Sequence, residues 1–431
     1  MIPLDVLLIH NNFPGQFRNL TKSFAEMGDV RVRTIGARQA PGLPGIPIER
    51  YSFAGTELGG VHAFARRFEI ECRRAEQVIY AANTLKLSGF SPKLIYVHPG
   101  WGEALPLRAL FPDAIIAVYA EFFYRPIGTD VGFDKEFAQF GIDGETRVIL
   151  RNAATLLAMA DANFAIAPTR WQRSVFPAEL HPKISIVHDG IDTEALRPDP
   201  GPAPAQQMLG GQSFGEGDEI VTFVARNLEP YRGFHIFMRA LPAVLRARPR
   251  ARAVIIGGDQ ISYGVAPVGH TNWRTAMLAE LDGQLPLERI HFMGKMPYAD
   301  YLAILRRSSA HVYLTYPFVL SWSMLEAMAL ECLIVGSDTP PVSEVITNER
   351  NGLLVPFFER EALSDTIVAA LAHPERYREH RKRARRTVVE RYDYQQVALP
   401  AHLKLIHEHV FFTPWAKARE DEAEITSPRF G

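Results

Sequence analysis

The stretch that best defines the fold of this chain spans residues 315–356 and reads TYPFVLSWSMLEAMALECLIVGSDTPPVSEVITNERNGLLVP. Its first half predicts a helix that opens with Trp322, and the short apolar run Cys332–Gly336 that follows predicts a buried strand. The helix carries one carboxylate, Glu326, among apolar and small residues. A charge is costly to bury without a partner, so Glu326 is either held for a ligand or engaged in a salt bridge or with the helix dipole. The segment alone leaves both interpretations open.

Short β-rich runs alternate with longer helical stretches along the whole chain, which indicates βαβ units on parallel sheets. Helical patterns in the first half cover Val61–Ala82 and Glu145–Ala160. The passage 198–219, PDPGPAPAQQMLGGQSFGEGDE, has no periodicity and is interpreted as an interdomain linker. The predicted strands are Val6–Ile9, Leu94–Val97, Ile115–Val118, Phe164–Ile166 and Ile184–Val187 before this passage, and Ile220–Val224, Ala253–Ile256, Ile290–Phe292, Val312–Leu314, Leu333–Val335 and Leu353–Val355 after it.

These patterns predict an α/β protein with two doubly wound, Rossmann-like domains that face an interdomain cleft. We assign residues 1–198 to the first domain and 199–390 to the second. Residues 391–431 are expected to form a helix that crosses back to the first domain, followed by a tail. Because ligands of open α/β sheets bind beyond the carboxyl ends of the strands, the loops that follow the strands are the candidate sites.

The composition excludes several classes of protein. The chain has 431 residues, 47% hydrophobic and 22% charged, and a formal net charge of −1, so no global field attracts nucleic acid. Its two cysteines, Cys72 and Cys332, lie far apart without a CxxC spacing, which argues against a disulfide framework or structural zinc and fits a reducing cytoplasm. The N-terminus predicts a first strand rather than a signal peptide. The uncharged run Val312–Leu325 is too short to span a bilayer. We therefore expect a soluble cytoplasmic protein.

The loop Val224–Phe234 carries a strong chemical signal. Arg226 and Arg232 frame it, and a helix is predicted to start after Gly233. Guanidinium forks match phosphate oxygens bidentately, and the positive end of a helix would point at the same place. The loop therefore predicts a phosphate site, with a pair of solvated surface arginines as the alternative.

Loops after the strands of the first half supply further candidates. The segment Asn11–Phe17, which includes Gly15, opens a helix where backbone N–H groups can approach a phosphate or sugar, but it is not a GxGxxG fingerprint. His98 directly follows one predicted strand, and Glu121 lies among aromatic residues after the next. The alternatives are a structural histidine and a salt bridge from Glu121 to Arg125.

The predicted helix Phe64–Glu76 carries four arginines, at positions 66, 67, 73 and 74. They could contact anionic lipid headgroups, and an ordinary solvated helix face is the alternative. Weak peripheral contact at the inner membrane face is accordingly part of the expectation.

Several short motifs of the second half occur in an order that resembles a known family. They are Asp189-Gly190-Ile191-Asp192, Arg226 with Arg232-Gly233, Phe292-Met293-Gly294, Leu325-Glu326-Ala327-Met328-Ala329, and Glu344-Val345-Ile346 with Asn351-Gly352-Leu353-Leu354-Val355. Together they resemble the nucleotide-sugar-binding domain of the family 4 retaining glycosyltransferases, which have the two-domain GT-B fold. The resemblance covers roughly residues 160–360, and the first 150 residues match only in strand order and in the glycine loop after the first strand.

The resemblance implies a role for each candidate. Arg226 and Arg232 would bind the donor diphosphate, and Glu326 would accept hydrogen bonds from the ribose hydroxyls. His98 would lie near the transferred sugar and, with the two arginines, would be catalytic. Glu121 would contact the acceptor or the sugar. The remaining implied donor contacts are Gly15, Asp189, Gly190, Met293, Gly294, Leu320, Ser321 and Trp322.

One position departs from the family pattern. The family carries a glutamate eight residues before the position of Glu326, where it contacts the donor sugar, and Phe318 stands there in this chain. Ser321, Ser323 or the backbone N–H groups of residues 319–322 are candidates to replace the missing carboxylate. The substitution leaves the identity of the donor sugar open.

The resemblance implies a retaining glycosyltransferase that moves a hexose from a nucleoside-diphosphate sugar, without metal or other cofactor. Its acceptor would be a glycan, a lipid-linked sugar or a small molecule in bacterial polysaccharide or glycoconjugate assembly. One alternative is a sugar-nucleotide epimerase or a phosphorylase on the same fold. Another is a catalytically silent homologue that binds nucleotide or partners an active transferase, which Phe318 keeps open. The sequence predicts no nucleic-acid partner and leaves the oligomeric state open.

Overall fold

The computed structural model describes residues 4–53, 57–137, 141–199, 201 and 206–411. The chain divides into two units. The first comprises Met1–Tyr124, Gly141–Gly190 and the chain from Gln395 onward, and the second comprises Arg125–Phe140 and Ile191–Tyr394. Among the described residues, no helix has the length and apolar character needed to cross a membrane.

The first unit is built on a parallel sheet. Its strands are β1 (Leu4–Ile9), β2 (Val30–Ala37), β3 (Ile48–Tyr51), β4 (Leu94–Val97), β5 (Ile115–Tyr119), β6 (Phe164–Ala167) and β7 (Ile184–Ile186). Its helices up to this point are α1 (Arg18–Glu26), α2 (Arg66–Leu87), α3 (Leu107–Leu110), α4 (Ile142–Leu150), α5 (Ala153–Asp161) and α6 (Arg170–Ser174). The seven strands pair in the order β3-β2-β1-β4-β5-β6-β7. β2 and β3 therefore lie on one side of β1, β4 to β7 lie on the other, and the strand order reverses between β1 and β4.

The predicted strands of the first half are all present, and β2 and β3 are additional. The predicted helix at 145–160 is instead two helices, α4 and α5. Asn152 lies between them, and its side chain accepts from the Tyr124 N–H and donates to the Tyr124 carbonyl, both at 2.8 Å. An asparagine side chain that bonds backbone groups competes with the helical ladder, which explains the interruption.

The second unit has a six-stranded parallel sheet and a small hairpin. The strands are β8 (Gln206–Leu209), β9 (Gln212–Gly215), β10 (Glu219–Asn227), β11 (Ala251–Gly258), β12 (Ile290–Gly294), β13 (Ala310–Tyr313), β14 (Ile334–Ser337) and β15 (Leu353–Val355). The helices are α7 (Phe234–Ala247), α8 (Trp273–Glu280), α9 (Tyr298–Arg306), α10 (Trp322–Ala329), α11 (Pro340–Ser343), α12 (Arg360–Ala372) and α13 (Arg378–Tyr392). The parallel sheet has the order β12-β11-β10-β13-β14-β15, and β8 pairs with β9 antiparallel. The last α-helix of the described residues, α14 (Leu399–Ile406), is followed by a π-helical segment (His407–Phe411) and belongs to the first unit.

The passage interpreted as a linker is only partly one. Its second half forms the hairpin β8–β9, in which Leu209 and Phe214 are buried in the core of the second unit. The division between the units falls between Gly190 and Ile191, before the boundary that we drew at residue 198. Strands of four residues that flank Gly210-Gly211 are too short to give a periodic signal, which is why the sequence pattern missed them.

The segment Arg125–Phe140 follows β5 in sequence, yet it belongs to the second unit. The Tyr231 hydroxyl donates to Asp130 Oδ2 at 3.0 Å, and the Tyr316 hydroxyl donates to Asp134 Oδ2 at 2.9 Å. These contacts bind the segment to the loops that follow β10 and β13. Our assignment of residues 1–198 to a single domain missed this exchange, because tyrosine–carboxylate contacts between distant segments leave no local sequence pattern.

Asp134, Glu136 and His235 lie close enough together to hold a metal ion. However, Arg239 already donates to both oxygens of Glu136, at 2.6 and 2.7 Å. His235 Nε2 lies 2.9 Å from Asp134 Oδ2. The carboxylates of Glu136 and Asp134 thus already have the Arg239 guanidinium and the His235 imidazole as partners. We therefore interpret these residues as contacts that hold the segment Arg125–Phe140 in the second unit.

Candidate functional site

Arg232 lies in the short turn Pro230–Arg232 between β10 and α7 and is only 7% exposed. Its Nη1 donates to the Thr315 hydroxyl at 2.8 Å and the Val319 carbonyl at 2.9 Å, with the Tyr313 hydroxyl at 3.3 Å. Within the described residues, no hydrogen bond leaves its Nε or Nη2. One edge of the guanidinium is therefore fixed by the protein, and the other edge can donate to an anion.

Gly233 allows this turn to lead directly into α7. Its φ is +67°, and a Cβ there would lie 2.3 Å from the Leu314 Cβ. Neither the left-handed backbone nor the close approach tolerates a larger residue. The turn thus brings Arg232 next to the positive end of the 14-residue helix α7.

The rings of Tyr263 and Phe318 lie beside the Arg232 guanidinium, and the Tyr231 ring contacts both of them. We call Tyr231, Tyr263 and Phe318 the aromatic wall. Phe318 lies 4.9 Å from Tyr263 and 5.6 Å from Tyr231 between ring centroids. The Arg232 guanidinium carbon is 5.7 Å from the Tyr263 ring and 5.8 Å from the Phe318 ring, within the range of cation–π attraction. At position 318 this chain therefore has a buried ring that packs beside Arg232, in place of the carboxylate of the family pattern.

Glu229 is a functional candidate that sequence reasoning missed. Its side chain is completely buried, and Oε2 accepts from the N–H groups of Ser262, Tyr263 and Gly264 at 3.3, 3.1 and 3.0 Å. It thereby fixes the loop after β11 and, with it, the Tyr263 ring of the aromatic wall. A carboxylate three residues before Arg232 was the available signal, but its partners are distant in sequence.

Arg226 occupies a different environment from Arg232. It lies within β10, and its side chain is exposed, between the buried neighbours Ala225 and Asn227. No described contact joins it to Arg232. Its role at a shared diphosphate stays a prediction.

Glu326 lies one turn inside α10 and is partly buried. The Tyr298 hydroxyl donates to Oε1 at 2.8 Å and the Tyr301 hydroxyl donates to Oε2 at 2.7 Å. Both tyrosines belong to α9, which follows the predicted base-binding residues Met293 and Gly294 at the end of β12. The structure thus brings Glu326 close to the element after Gly294, although neither tyrosine was predicted.

At the start of α10, Ser321 is one of the residues that we considered as replacements for the missing carboxylate, and it already has intramolecular hydrogen bonds. The Ser321 N–H donates to the Tyr313 hydroxyl at 2.7 Å, and the Ser321 Oγ caps the helix by accepting from the Ser323 N–H. Leu320 and Trp322 are partly buried against the core of the second unit. The Ser321 N–H is therefore already engaged, and the proposal that it contacts a donor sugar loses support.

In the first unit, the ends of β1, β4 and β5 bring four polar side chains into one network. His10 Nε2 donates to Gln16 Oε1 at 2.8 Å, and Gln16 Nε2 donates to Glu121 Oε1 at 2.6 Å. His98 Nε2 lies 3.2 Å from Glu121 Oε2. The predicted candidates His98 and Glu121 are thus in direct contact.

The hydrogen bonds assign the proton positions of this network. The Gly100 N–H donates to His98 Nδ1 at 3.1 Å, so in neutral His98 the proton is on Nε2 and points at Glu121. Burial alone would raise the pKa of Glu121, but the interaction with His98 and the hydrogen bond from Gln16 outweigh burial and lower it. The network therefore holds an ionised carboxylate. Both ring nitrogens of His98 are engaged, which suits a histidine that orients Glu121 better than one that abstracts a proton.

His10 and Gln16 were not predicted as site residues. The signal for His10 was its position directly after β1, as for His98 after β4. Gly15 accommodates this histidine, since its φ is +45° and a Cβ would lie 2.4 Å from His10 Nε2. Position 15 therefore has a structural reason to be glycine, in addition to the donor contact that the family resemblance implies for it.

Asp189 and Gly190 lie at the end of the first unit. The Tyr119 hydroxyl donates to Asp189 Oδ2 at 3.1 Å, and the Gly190 N–H donates to His188 Nδ1 at 3.0 Å. Tyr119 is the last residue of β5, two positions before Glu121. Asp189 therefore joins the strand end that carries Glu121.

The arginines of α2 have intramolecular partners. Arg67 donates to the Gly100 carbonyl at 2.6 Å and Arg74 donates to the Trp101 carbonyl at 2.7 Å. They hold the loop that follows His98. The basic face that suggested lipid contact thus serves, at least at these two positions, to shape the site of the first unit.

Two family models match the chain. One, described as "Glycosyl transferase family 4 group", matches residues 28–196, and the other, "Glycosyl transferases group 1", matches residues 210–387. The phosphatidyl-myo-inositol mannosyltransferase of Mycobacterium leprae is 28% identical, over 53% of this chain and 54% of that protein. Spore coat protein SA of Bacillus subtilis is 25% identical, over 73% of this chain and 78% of that protein. The chain spans about half the length of the mannosyltransferase.

Solved structures with the same fold cover nearly the whole chain. HepE from Anabaena, in complex with UDP, covers 93% of this chain and 99% of its own with a TM-score of 0.66 at 16% identity. Sucrose-phosphate synthase from Thermosynechococcus elongatus covers 93% and 98% with a TM-score of 0.68 at 16% identity. The two Rossmann-like units thus define a protein of the GT-B fold. With both family models matched in order, the chain belongs to the family 4 glycosyltransferases.

Proposed function

We propose that this protein is a glycosyltransferase that moves a hexose from a nucleoside-diphosphate sugar to a hydroxyl acceptor with retention of anomeric configuration. The observation that carries the proposal is Arg232, with one edge of its guanidinium bound by the protein and the other open beside the start of α7. A fork fixed in this way is preorganised for an anion whose charge grows as the glycosidic bond breaks. The family to which the chain belongs supports the same conclusion.

The second unit offers the groups for the rest of the donor. Glu326 would accept hydrogen bonds from the ribose hydroxyls, and the backbone at Met293 and Gly294 would lie beside the base. Arg226, exposed on β10, would complete the diphosphate site. No metal takes part in this proposal, since arginine and the helix end supply the positive charge.

The first unit offers a site for a hydroxyl-bearing group. Glu121 is an ionised acceptor oriented by His98 and Gln16. With both nitrogens of His98 engaged, the reaction we propose leaves proton abstraction to the donor. The acceptor oxygen bonds to the anomeric carbon from the side of the leaving group while the carbon–oxygen bond to the diphosphate breaks. The acceptor proton passes to a diphosphate oxygen.

The acceptor class is proposed from the relatives. The mycobacterial relative is named as acting on phosphatidyl-myo-inositol, and HepE was solved with UDP and glucose. For this chain we propose a glycan or lipid-linked acceptor in bacterial polysaccharide or glycoconjugate assembly.

A panel of UDP-, GDP-, ADP- and TDP-sugars tests the donor site. A ligand that binds only the native state raises the melting temperature by mass action, and turnover with candidate acceptors would release the nucleoside diphosphate. Retention is checked by NMR, because the product must keep the anomeric configuration of the donor. The proposal fails if no member of the panel stabilises the protein.

A second candidate, a nucleotide-binding homologue without transferase activity, is favoured by Phe318. This ring is 3% exposed and cannot accept the hydrogen bond that the family carboxylate accepts from the sugar. Stabilisation by a nucleotide sugar without turnover, across the acceptor panel, would select this candidate over the transferase.

A further inference from the structure

Two tyrosines of α9 donate to the Glu326 carboxylate, one to each oxygen. The Tyr298 hydroxyl donates to Oε1 at 2.8 Å, and the Tyr301 hydroxyl donates to Oε2 at 2.7 Å. Because they are three positions apart on one helix, the tyrosines share a face, and their ring centroids are 5.6 Å apart. A ligand hydroxyl that approaches Glu326 therefore meets a carboxylate that already has one donor on each oxygen.

The two donors differ in their surroundings. Tyr301 is 8% exposed and is part of the hydrophobic core of the second unit. Burial, and then the charge of Glu326, raise the pKa of Tyr301 well above its ordinary value, so its hydroxyl keeps its proton and remains a donor. Tyr298 is the first residue of α9 and is 53% exposed. One donor is thus held by core packing, and the other lies at the surface.

This difference decides which hydrogen bond a ligand can replace. Withdrawal of Tyr301 would open a close-packed core, whereas an exposed tyrosine can leave by a rotamer change. Exchanging one hydroxyl donor for another at a carboxylate is nearly balanced in free energy. A ligand hydroxyl can therefore take the place of Tyr298 at Oε1, but it gains less than it would from an unoccupied oxygen.

We infer that Tyr301 is a positioning residue that fixes the Glu326 carboxylate, and that Tyr298 is a displaceable cap on Oε1 that a ribose hydroxyl of the donor replaces. The inference rests on the proposed function, since it takes Glu326 as the ribose acceptor. It makes Tyr298 a specificity-determining residue.

The test compares a nucleoside diphosphate with its 2′,3′-dideoxy analogue by isothermal titration calorimetry. Tyr298→Phe and Tyr301→Phe each remove one hydroxyl and keep the ring, so ring packing is unchanged. Tyr80→Phe, at a tyrosine of α2 that is 61% exposed, serves as the control for loss of a surface hydroxyl. The nucleoside diphosphate is the one of UDP, GDP, ADP or TDP that binds the wild type most tightly, with TDP compared through its 3′-hydroxyl.

For the hydroxyl-bearing ligand, we expect Tyr298→Phe to lower the Kd about three- to tenfold and Tyr301→Phe to raise it about three- to tenfold, the size of one hydrogen bond. For the dideoxy ligand, neither variant should change the Kd. This second ligand also reports whether the site of Tyr301→Phe is intact, since a general disturbance would weaken both ligands equally.

A Kd for Tyr298→Phe that is unchanged or higher overturns the cap. An equal effect of Tyr301→Phe on the two ligands overturns its positioning role. Both outcomes leave nucleotide binding by the wild type, and so the proposed function, intact. If the wild type binds no nucleoside diphosphate, the proposed function fails and the inference fails with it.

Discussion

The guanidinium of Arg232 serves two purposes because its nitrogens point in different directions. Nη1 donates to three oxygens at and after the end of β13, which fixes the side chain beside the rings of Tyr263 and Phe318. The remaining edge is left to bind an anion. A lysine has a single ammonium and could not do both in this geometry.

At this residue scale, we expect Arg232→Ala to raise the Kd for a nucleoside diphosphate about ten- to a hundredfold, since hydrogen bonds to charged groups contribute about 1.5–3 kcal/mol. Arg232→Lys should fall between this variant and the wild type, because it keeps the charge and loses the fork. Calorimetric titration measures both. Arg246→Ala, which removes an exposed arginine of α7, is the control.

The same titration with Arg226→Ala tests whether Arg226 shares the diphosphate. A loss comparable to that of Arg232→Ala would support a shared site, whereas wild-type affinity would remove Arg226 from it. Unaltered affinity of Arg232→Ala would contradict the phosphate assignment of the turn.

At the scale of elements, the site of each unit is made by the turns that follow parallel strands. In the turn after β10, Gly233 combines a positive φ with a close approach to Leu314. In the hairpin β8–β9, Gly211 has a φ of +81°, and a Cβ there would meet no atom within 4 Å. Gly211 therefore has the left-handed backbone alone, whereas Gly233 has both the left-handed backbone and the steric contact. Substitutions at the two positions distinguish these two costs within one unit.

We expect Gly211→Ala to lower the free energy of unfolding by about 1–2 kcal/mol, the cost of a left-handed residue. Gly233→Ala should cost about 1–3 kcal/mol more, because the added methyl group also overpacks against Leu314. Chemical denaturation gives both values. Equal losses in the two variants would show that the turn before α7 has room for a side chain and would weaken the argument for its shape.

At the scale of the whole molecule, buried neutral histidines couple stability to pH. Burial lowers the pKa of His188 and His311 to about 3 and that of His402 to about 4, from an ordinary value of 6.5. His188 and His402 belong to the first unit, and His311 belongs to the second. In the unfolded chain these rings take up protons below pH 6.5, whereas in the native protein they stay neutral until much lower pH.

The stabilising contribution of these histidines is therefore complete above pH 6.5 and is lost as the pH falls toward their native pKa values. We expect the free energy of unfolding to decrease between pH 6.5 and 4.5 by up to about 1.4 kcal/mol per pH unit for each histidine. Denaturation at a series of pH values measures the slope. His270→Gln, at an exposed histidine, should leave it unchanged. A slope of zero in this range would contradict the burial of the three rings.

The local sequence predicted much of the architecture. β4 and β6 are uniformly buried apolar runs, and such runs are recognisable without knowledge of their neighbours. The loop of Arg232 and the position of Glu326 in α10 were also predicted. β2 and β8–β9 were missed, because their short or mixed patterns resemble those of loops.

The sequence by itself determined the α/β class, the family and most of the candidate residues, because hydrophobic period and short motifs are local properties. Only the tertiary structure decided which of them meet. The sheet order puts β1, β4 and β5 side by side, and so joins His10 and Gln16 to Glu121 and His98. In the second unit, the packing of α9 beside α10 likewise brings the hydroxyls of two tyrosines into hydrogen bonds with Glu326. Contacts of this kind depend on strand order and helix packing between distant segments, which no local pattern records.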